Sequence, residues 1–319
     1  MSLSSRIETF DKVGRRFPCE RPSRLVCVHR IEENAFESLR VAAAIYMSRC
    51  LPGNRLILEG SRLLEEFERH QDLIQNITPN GLIVPKRYIM LEYNLLVRAF
   101  AQVISGLGME DLIVYWHIPL NLRIQFGQTR EKDSKRNYPV EHIHSDSWAG
   151  QSTESVTVHI PIFGDVSRNH IELYDPPTHF REDWLGPLQD YAAGDTIVRE
   201  YSKIDFIPPE GHLILADFAI LYAYTRLPGA GPCVSLDTTF VLKKPSSHDE
   251  QEKIHPWRES ERASHQVLTG LGETHLLLFP HDLHERVEVP VGFKHPTQLE
   301  LIELVKAPRA PMGFSGVGE

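Results

Sequence analysis

The chain has 319 residues, long enough for one large domain with a sizeable core. Its formal net charge of −9 argues against a nucleic-acid partner, because phosphate binding wants a basic face. At 41% apolar and 24% charged it has the composition of a soluble globular protein, with no apolar run long enough for a membrane span. The first twenty residues are polar and charged and lack the apolar stretch of a signal peptide. Cys19, Cys27, Cys50 and Cys233 show no C-x-x-C or paired spacing, so reduced thiols in a cytoplasmic protein are expected.

Residues 1–111 read as a mainly helical support. Asn34–Leu51 is alanine-rich with apolar residues at helical spacing. Ser61–Ile77 places Leu63, Leu64, Phe67, Leu73 and Ile74 on one side, with Ser61 as a cap. Its pairs Glu65/Arg69 and Glu66/His70 suit a solvated face. Tyr88–Ile104 forms a third helix that stops near Gly106 and Gly108.

The period changes over residues 112–242. Short apolar runs follow one another: Leu112–His117, Leu120–Phe126, Ser155–Ile162, His170–Tyr174, Asp195–Glu200, His212–Ala216 and Val234–Leu242. Turn residues separate them, which predicts a β-sandwich or barrel. Residues 243–319 form a polar, mixed extension that a lid or a homodimer contact would explain. It holds the apolar run His275–Phe279, a short helix over Gln298–Val305 and a Gly- and Pro-rich end from Pro308 to Glu319. The whole reads as one domain without internal repeats.

One motif carries chemistry. Residues 141–148 read Glu-His-Ile-His-Ser-Asp-Ser-Trp. His144 and Asp146 form an H-x-D pair, which supplies two ligands of the 2-His-1-carboxylate triad in non-heme iron oxygenases. His142, His144 and Asp146 alternate, so one straight strand would turn all three to one face. Four residues of ideal strand span about 13 Å, too far for one ion unless the strand ends or bulges at Ser145.

The strand-rich middle resembles the double-stranded β-helix, the cupin-like jelly roll, of the iron(II)/2-oxoglutarate-dependent dioxygenase superfamily, nearest its phytanoyl-CoA-hydroxylase-like branch. The blocks that carry the resemblance are Leu122–Gly127, His142–Trp148, Val158–Ile162, Ile171–Pro176, Gly211–Phe218 and Val234–Val241. It implies an α+β fold with a double-stranded β-helix core at 112–242. It implies an oxidoreductase acting on a small polar metabolite, with secondary metabolism as a setting. It also implies iron(II) as cofactor and 2-oxoglutarate as co-substrate.

In that family a histidine after a Gly-led strand is the third ligand. About ten residues later an arginine in an R-x-S pattern clamps the 2-oxoglutarate carboxylate. Here Phe218–Ser235 contains no histidine. Tyr222 takes the distal-histidine slot, with Ala223 and Tyr224 as alternatives. Cys233 takes the arginine slot, and Ser235 is retained. Tyrosine binds Fe(III) far better than Fe(II), and cysteine cannot fork onto a carboxylate.

His142 is the first candidate for a replacement ligand, ahead of His170 and His212. Arg123, ahead of Arg226, is the candidate for a substitute anion clamp beside Ser235, since a guanidinium matches carboxylates. Trp148 packs against the metal-site loop or walls a substrate pocket. The competing expectation is a catalytically silent or non-redox relative that binds a small molecule or a protein partner.

Overall fold

A computed structural model describes residues 2–242 apart from 54, 75, 86–88, 110–111, 117–119, 128–137 and 152. The extension from 243, with the run at 275–279 and the helix at 298–305, lies outside the described residues. In chain order the main elements are α1 (Leu3–Arg16), β1 (Glu20–Ser23), β2 (Val26–Arg30), α2 (Glu33–Ser48), α3 (Gly60–Arg69) and α4 (Met90–Gly106). Then come β3 (Ile113–Trp116), β4 (Asn121–Gln125), β5 (Ser155–Gly164), β6 (Asn169–Asp175), α5 (Asp195–Val198), β7 (Ser202–Lys203), β8 (His212–Asp217), β9 (Leu221–Arg226) and β10 (Cys233–Leu242).

The strands form two antiparallel sheets. The larger runs β1-β2-β8-β5-β10-β3, with β4 also paired to β10. The smaller runs β7-β6-β9. His144 extends it, bridged to Tyr222 of β9 through two backbone bonds of 3.0 and 2.9 Å.

Alternation along β10 explains how the larger sheet is used. Val234, Leu236, Phe240 and Leu242 join the main apolar core with Val156, Val158 and Ile160 of β5. The helices cover that face. Phe240 packs at 6.1 Å on Phe100 of α4, and Tyr46 of α2 meets Tyr93 of α4 edge-on at 5.7 Å. The opposite face carries Ser235 and Asp237 of β10, Arg123 of β4 and His159 of β5, in facing register. Tyr224 reaches these groups from the smaller sheet. Its hydroxyl lies 3.3 Å from Ser235 Oγ, and its ring centroid lies 6.0 Å from that of His159. The space between the sheets is therefore polar, while the bulk of the apolar burial lies beneath the helices.

Two buried contacts anchor this scaffold. Arg6 of α1 reaches Asp217 at the end of β8 at 2.9 Å and Glu182 at 2.8 Å, satisfying a guanidinium that is 1% exposed. The strip Leu82–Ile83 runs beside β4, and Gly81 there has φ +80°. A Cβ at Gly81 would sit 2.2 Å from the Ile124 carbonyl oxygen, so only glycine allows that approach.

Several local expectations change. Asp195–Glu200 is not a strand; Asp195–Val198 is a helical turn. Its β-branched residues find no strand to pair with, and the preceding 3-10 turn Tyr191–Gly194, capped by Asp190, leads directly into it. The helix expected to reach Ile77 stops at Arg69, which leaves Leu73 beyond it and exposed. Ser61 is not its cap. Glu59 holds that position, and Ser61 Oγ donates to the Glu59 carboxylate instead. Glu66 rather than Glu65 pairs with Arg69, and it also meets His70.

Candidate functional site

The motif strand ends where a metal site would need it to end. His144 is strand-paired, but Ser145 caps a 3-10 turn over Asp146–Ala149 by accepting from the Ser147 N–H at 3.3 Å. Ser145 Oγ also donates to the Phe218 carbonyl at 3.0 Å, and Gly150 closes the turn with φ +90°. Asp146 is thereby folded back toward β9. The Tyr222 hydroxyl donates to Asp146 Oδ1 at 2.8 Å.

His144 is 1% exposed and held on both faces. The Tyr191 ring stacks on it at 4.0 Å and 17°, and the Tyr222 ring lies 4.4 Å away. His144 Nδ1 donates to the His142 carbonyl at 2.6 Å, which leaves the lone pair on Nε2. Metal-bound histidines are commonly oriented by such a bond. Burial drives its pKa down to about 3, so the ring is neutral and able to act as a ligand.

Burial also pushes the Asp146 carboxyl up to about 6, against the Tyr222 hydrogen bond that favours its charge. Tyr222 itself is raised well above the usual phenol range, first by burial and then by Asp146. Among the described residues no lysine or arginine forms an ion pair with Asp146.

The charge of Arg123 is felt at both His144 and Asp146, and Asp237 holds it. Arg123 Nε donates to Asp237 Oδ1 at 3.0 Å and its Nη2 to Oδ2 at 3.2 Å, while Nη1 donates to the Asn80 carbonyl at 2.6 Å. Its guanidinium also lies 5.2 Å from the centre of the Tyr224 ring. Burial holds His159 neutral, down to about 4. Among the described residues the interior thus sets Asp146 and Asp237 against Arg123, with His144 and His159 neutral.

The remaining candidates separate from this centre. His142 turns outward, 3.3 Å from Asp195, with its side chain 42% exposed. His170 pairs with Thr225, on the face of the smaller sheet opposite Tyr222 and Tyr224. His212 sits at the far end of β8, its Nδ1 2.9 Å from the Glu210 carbonyl. Arg226 meets Glu141 at 2.5 Å. Cys233 is buried opposite Gln125 and Gly164, its thiol pushed up to about 12 by burial.

Trp148 is fully buried in a second cluster with Tyr138, Tyr191 and Leu221, and its Nε1 donates to the Trp184 carbonyl at 2.7 Å. Tyr191 and Asp237 are the site residues the sequence reading missed. Asp237 could have been found, because a charge inside the apolar β10 pattern two residues from Ser235 asks for a partner. Nothing local marks Tyr191, which reaches His144 from a distant turn.

No family model matches the sequence, and comparison with curated proteins finds no relative. Several solved structures resemble the fold at low sequence identity. They include EctD from S. alaskensis, solved with 2-oxoglutarate and 5-hydroxyectoine, at 15% identity and TM-score 0.42, covering 91% of this chain and 88% of that one. The α-ketoglutarate-dependent epimerase SnoN of nogalamycin biosynthesis matches at 10% identity and TM-score 0.38, covering 79% and 92%. An N-substituted L-amino acid dioxygenase from Burkholderia ambifaria matches at 11% identity and TM-score 0.35, covering 74% and 87%. Among the described residues no helix is long and apolar enough to cross a membrane.

Proposed function

We propose that this chain is a metal-dependent derivative of the non-heme iron oxygenases, acting on a small polar metabolite between the two sheets of a double-stranded β-helix. The strand order supports the architecture. Counting β4, the His144 segment and β5–β10 as one to eight, the sheets run one-eight-three-six and two-seven-four-five. That interleaving is the jelly-roll pattern the sequence resembles. Residues 1–111 buttress it within the same domain.

One observation carries the reading: a buried carboxylate that forms no ion pair among the described residues shares Tyr222 with a neutral, pre-oriented imidazole. Such a carboxylate must take a proton or a cation. His144 Nε2, an Asp146 oxygen and the Tyr222 oxygen form a nitrogen–oxygen donor set, which suits a first-row metal. Iron held there supplies oxygen activation for substrate oxidation. Tyr191 and Tyr222 clamp the imidazole from either side, so the ligand geometry needs no reorganisation on binding. The Tyr222 proton must leave Asp146 when a cation arrives. His142 plays no part in this reading, because it is directed to Asp195.

The residues do not fit a 2-oxoglutarate clamp of the usual form. Cys233 cannot fork onto a carboxylate, and Asp237 occupies the matching edge of Arg123. Ser235 faces Tyr224. No step is therefore assigned to 2-oxoglutarate here. A co-substrate carboxylate would have to displace Asp237 or bind elsewhere.

The second reading is a catalytically silent relative that binds a small molecule or a partner. The Tyr222–Asp146 hydrogen bond favours it, since that bond satisfies the carboxylate without a metal. Anaerobic loading with Fe(II), followed by metal analysis, separates the two. Iron bound in proportion to protein and lost in His144→Ala supports the enzyme; no bound first-row metal supports the silent relative.

A further inference from the structure

A second cluster of ligand-type side chains lies at the edge of the larger sheet, well apart in the fold from Asp146. Cys27 and His29 alternate on β2 and so share one face. Glu20 pairs with Val28, so the same register continued by one residue sets Cys19 beside His29. The two sulfurs and a His29 nitrogen all lie within 4.8 Å of one another. Cys27 and His29 are 0% and 1% exposed, whereas Cys19 is half-buried.

The decisive atom is His29 Nε2. It is buried and has no hydrogen-bond partner among the described residues. An unsatisfied buried ring nitrogen therefore belongs to the same imidazole that lies with the two thiols. Two cysteines this close could instead form a disulfide, but a disulfide would leave that nitrogen unsatisfied. A thiophilic cation would satisfy all three groups at once.

We propose that Cys19, Cys27 and His29 bind a d10 thiophilic cation, zinc(II), with the fourth position open on the half-exposed Cys19 side. Two thiolates cancel the charge of the ion, and a Cys2His set with one open position is an established zinc environment. Tetrahedral zinc, with bonds of about 2.0–2.3 Å, sets its ligand atoms about 3.5–3.8 Å apart, so the cluster needs only a small contraction. Burial raises the Cys27 thiol, and the ion removes that proton on binding. The ion would tie the start of β1 to the middle of β2, next to α1, where Cys27 Sγ lies 4.0 Å from the Phe10 carbonyl.

The test uses the full-length, reduced, chelator-stripped protein titrated with Co(II). One equivalent should give a thiolate-to-cobalt charge-transfer band in the near ultraviolet, and zinc should abolish it by displacement. Cys27→Ser and Cys19→Ser should each lose the band; Cys19 is half-exposed, so its variant should keep a wild-type circular dichroism spectrum. Asp146→Ala should retain the band, because the other centre contains no sulfur, and this separates the two proposals. A folded protein that gives no such band overturns the inference. So does a Cys19–Cys27 disulfide found by mass in the protein as isolated. Displacement of Co(II) by Cu(I) but not by zinc would also contradict the assignment to zinc.

Discussion

The Tyr222 hydroxyl donates to Asp146 from the same rung of the smaller sheet that holds His144. One tyrosine therefore touches both members of the H-x-D pair: a ring face for the imidazole and a proton for the carboxylate. Both contacts hold the pair in place from one side chain.

Tyr222→His should place a nitrogen donor opposite His144 and tighten Fe(II) binding by about tenfold or more, which is about 1.4 kcal/mol. Tyr222→Phe should weaken it, because a donor is removed. Anaerobic binding isotherms of the three proteins check this. Equal affinities would show that the side chain at 222 is not a ligand.

Arg123 balances Asp237 between the two sheets. Arg123→Gln should cost about 3–5 kcal/mol, since it strands a buried carboxylate. The double variant Arg123→Gln/Asp237→Asn should recover much of that loss. Urea unfolding of the single and double variants gives the comparison, and a double variant no more stable than the single one would refute the pairing.

Burial holds His159 near pKa 4 in the fold, against about 6.5 in an unfolded chain. A lowered histidine pKa favours the folded state above the unfolded value and withdraws that support as pH falls. The window is about 6.5 down to 4, and the loss is about 3 kcal/mol at its foot. Stability measured between pH 7 and 4 should therefore fall less steeply in His159→Gln than in wild type. Identical slopes would contradict the assignment.

Gly194 lies against Trp148, and a Cβ there would come within 2.3 Å of the indole. Gly194→Ala should cost about 1–3 kcal/mol by overpacking. It should also disturb Tyr191, which ends its stack on His144 in the same turn. Thermal unfolding and iron affinity should both fall. Unchanged iron affinity would mean that Tyr191 does not position His144.

Much of this architecture was legible because its signals are local. Val234–Leu242 and Ser155–Ile162 are short apolar and β-branched runs, and both are central strands. The alanine-rich segment after Asn34 is a helix. The element α1 and the hairpin β1–β2 were hidden, because charged side chains such as Arg6 are buried there through distant partners. The turn that folds Asp146 back depends on Ser145 reaching Phe218, a bond across 73 residues. His142 qualifies as a ligand candidate only if the strand ends at Ser145; the strand does end there, yet His142 is directed to Asp195. Arg123 looked like an anion clamp because Asp237 lies 114 positions away in sequence.

The central claim is that a cation binds at His144 and Asp146. Fe(II) titration of the full-length protein under anaerobic conditions tests it most directly, with Cys27→Ser as background so that only this centre is read. One equivalent should bind, and both His144→Ala and Asp146→Ala should abolish it. Binding that survives in either variant, or no binding in the Cys27→Ser parent, would contradict the account.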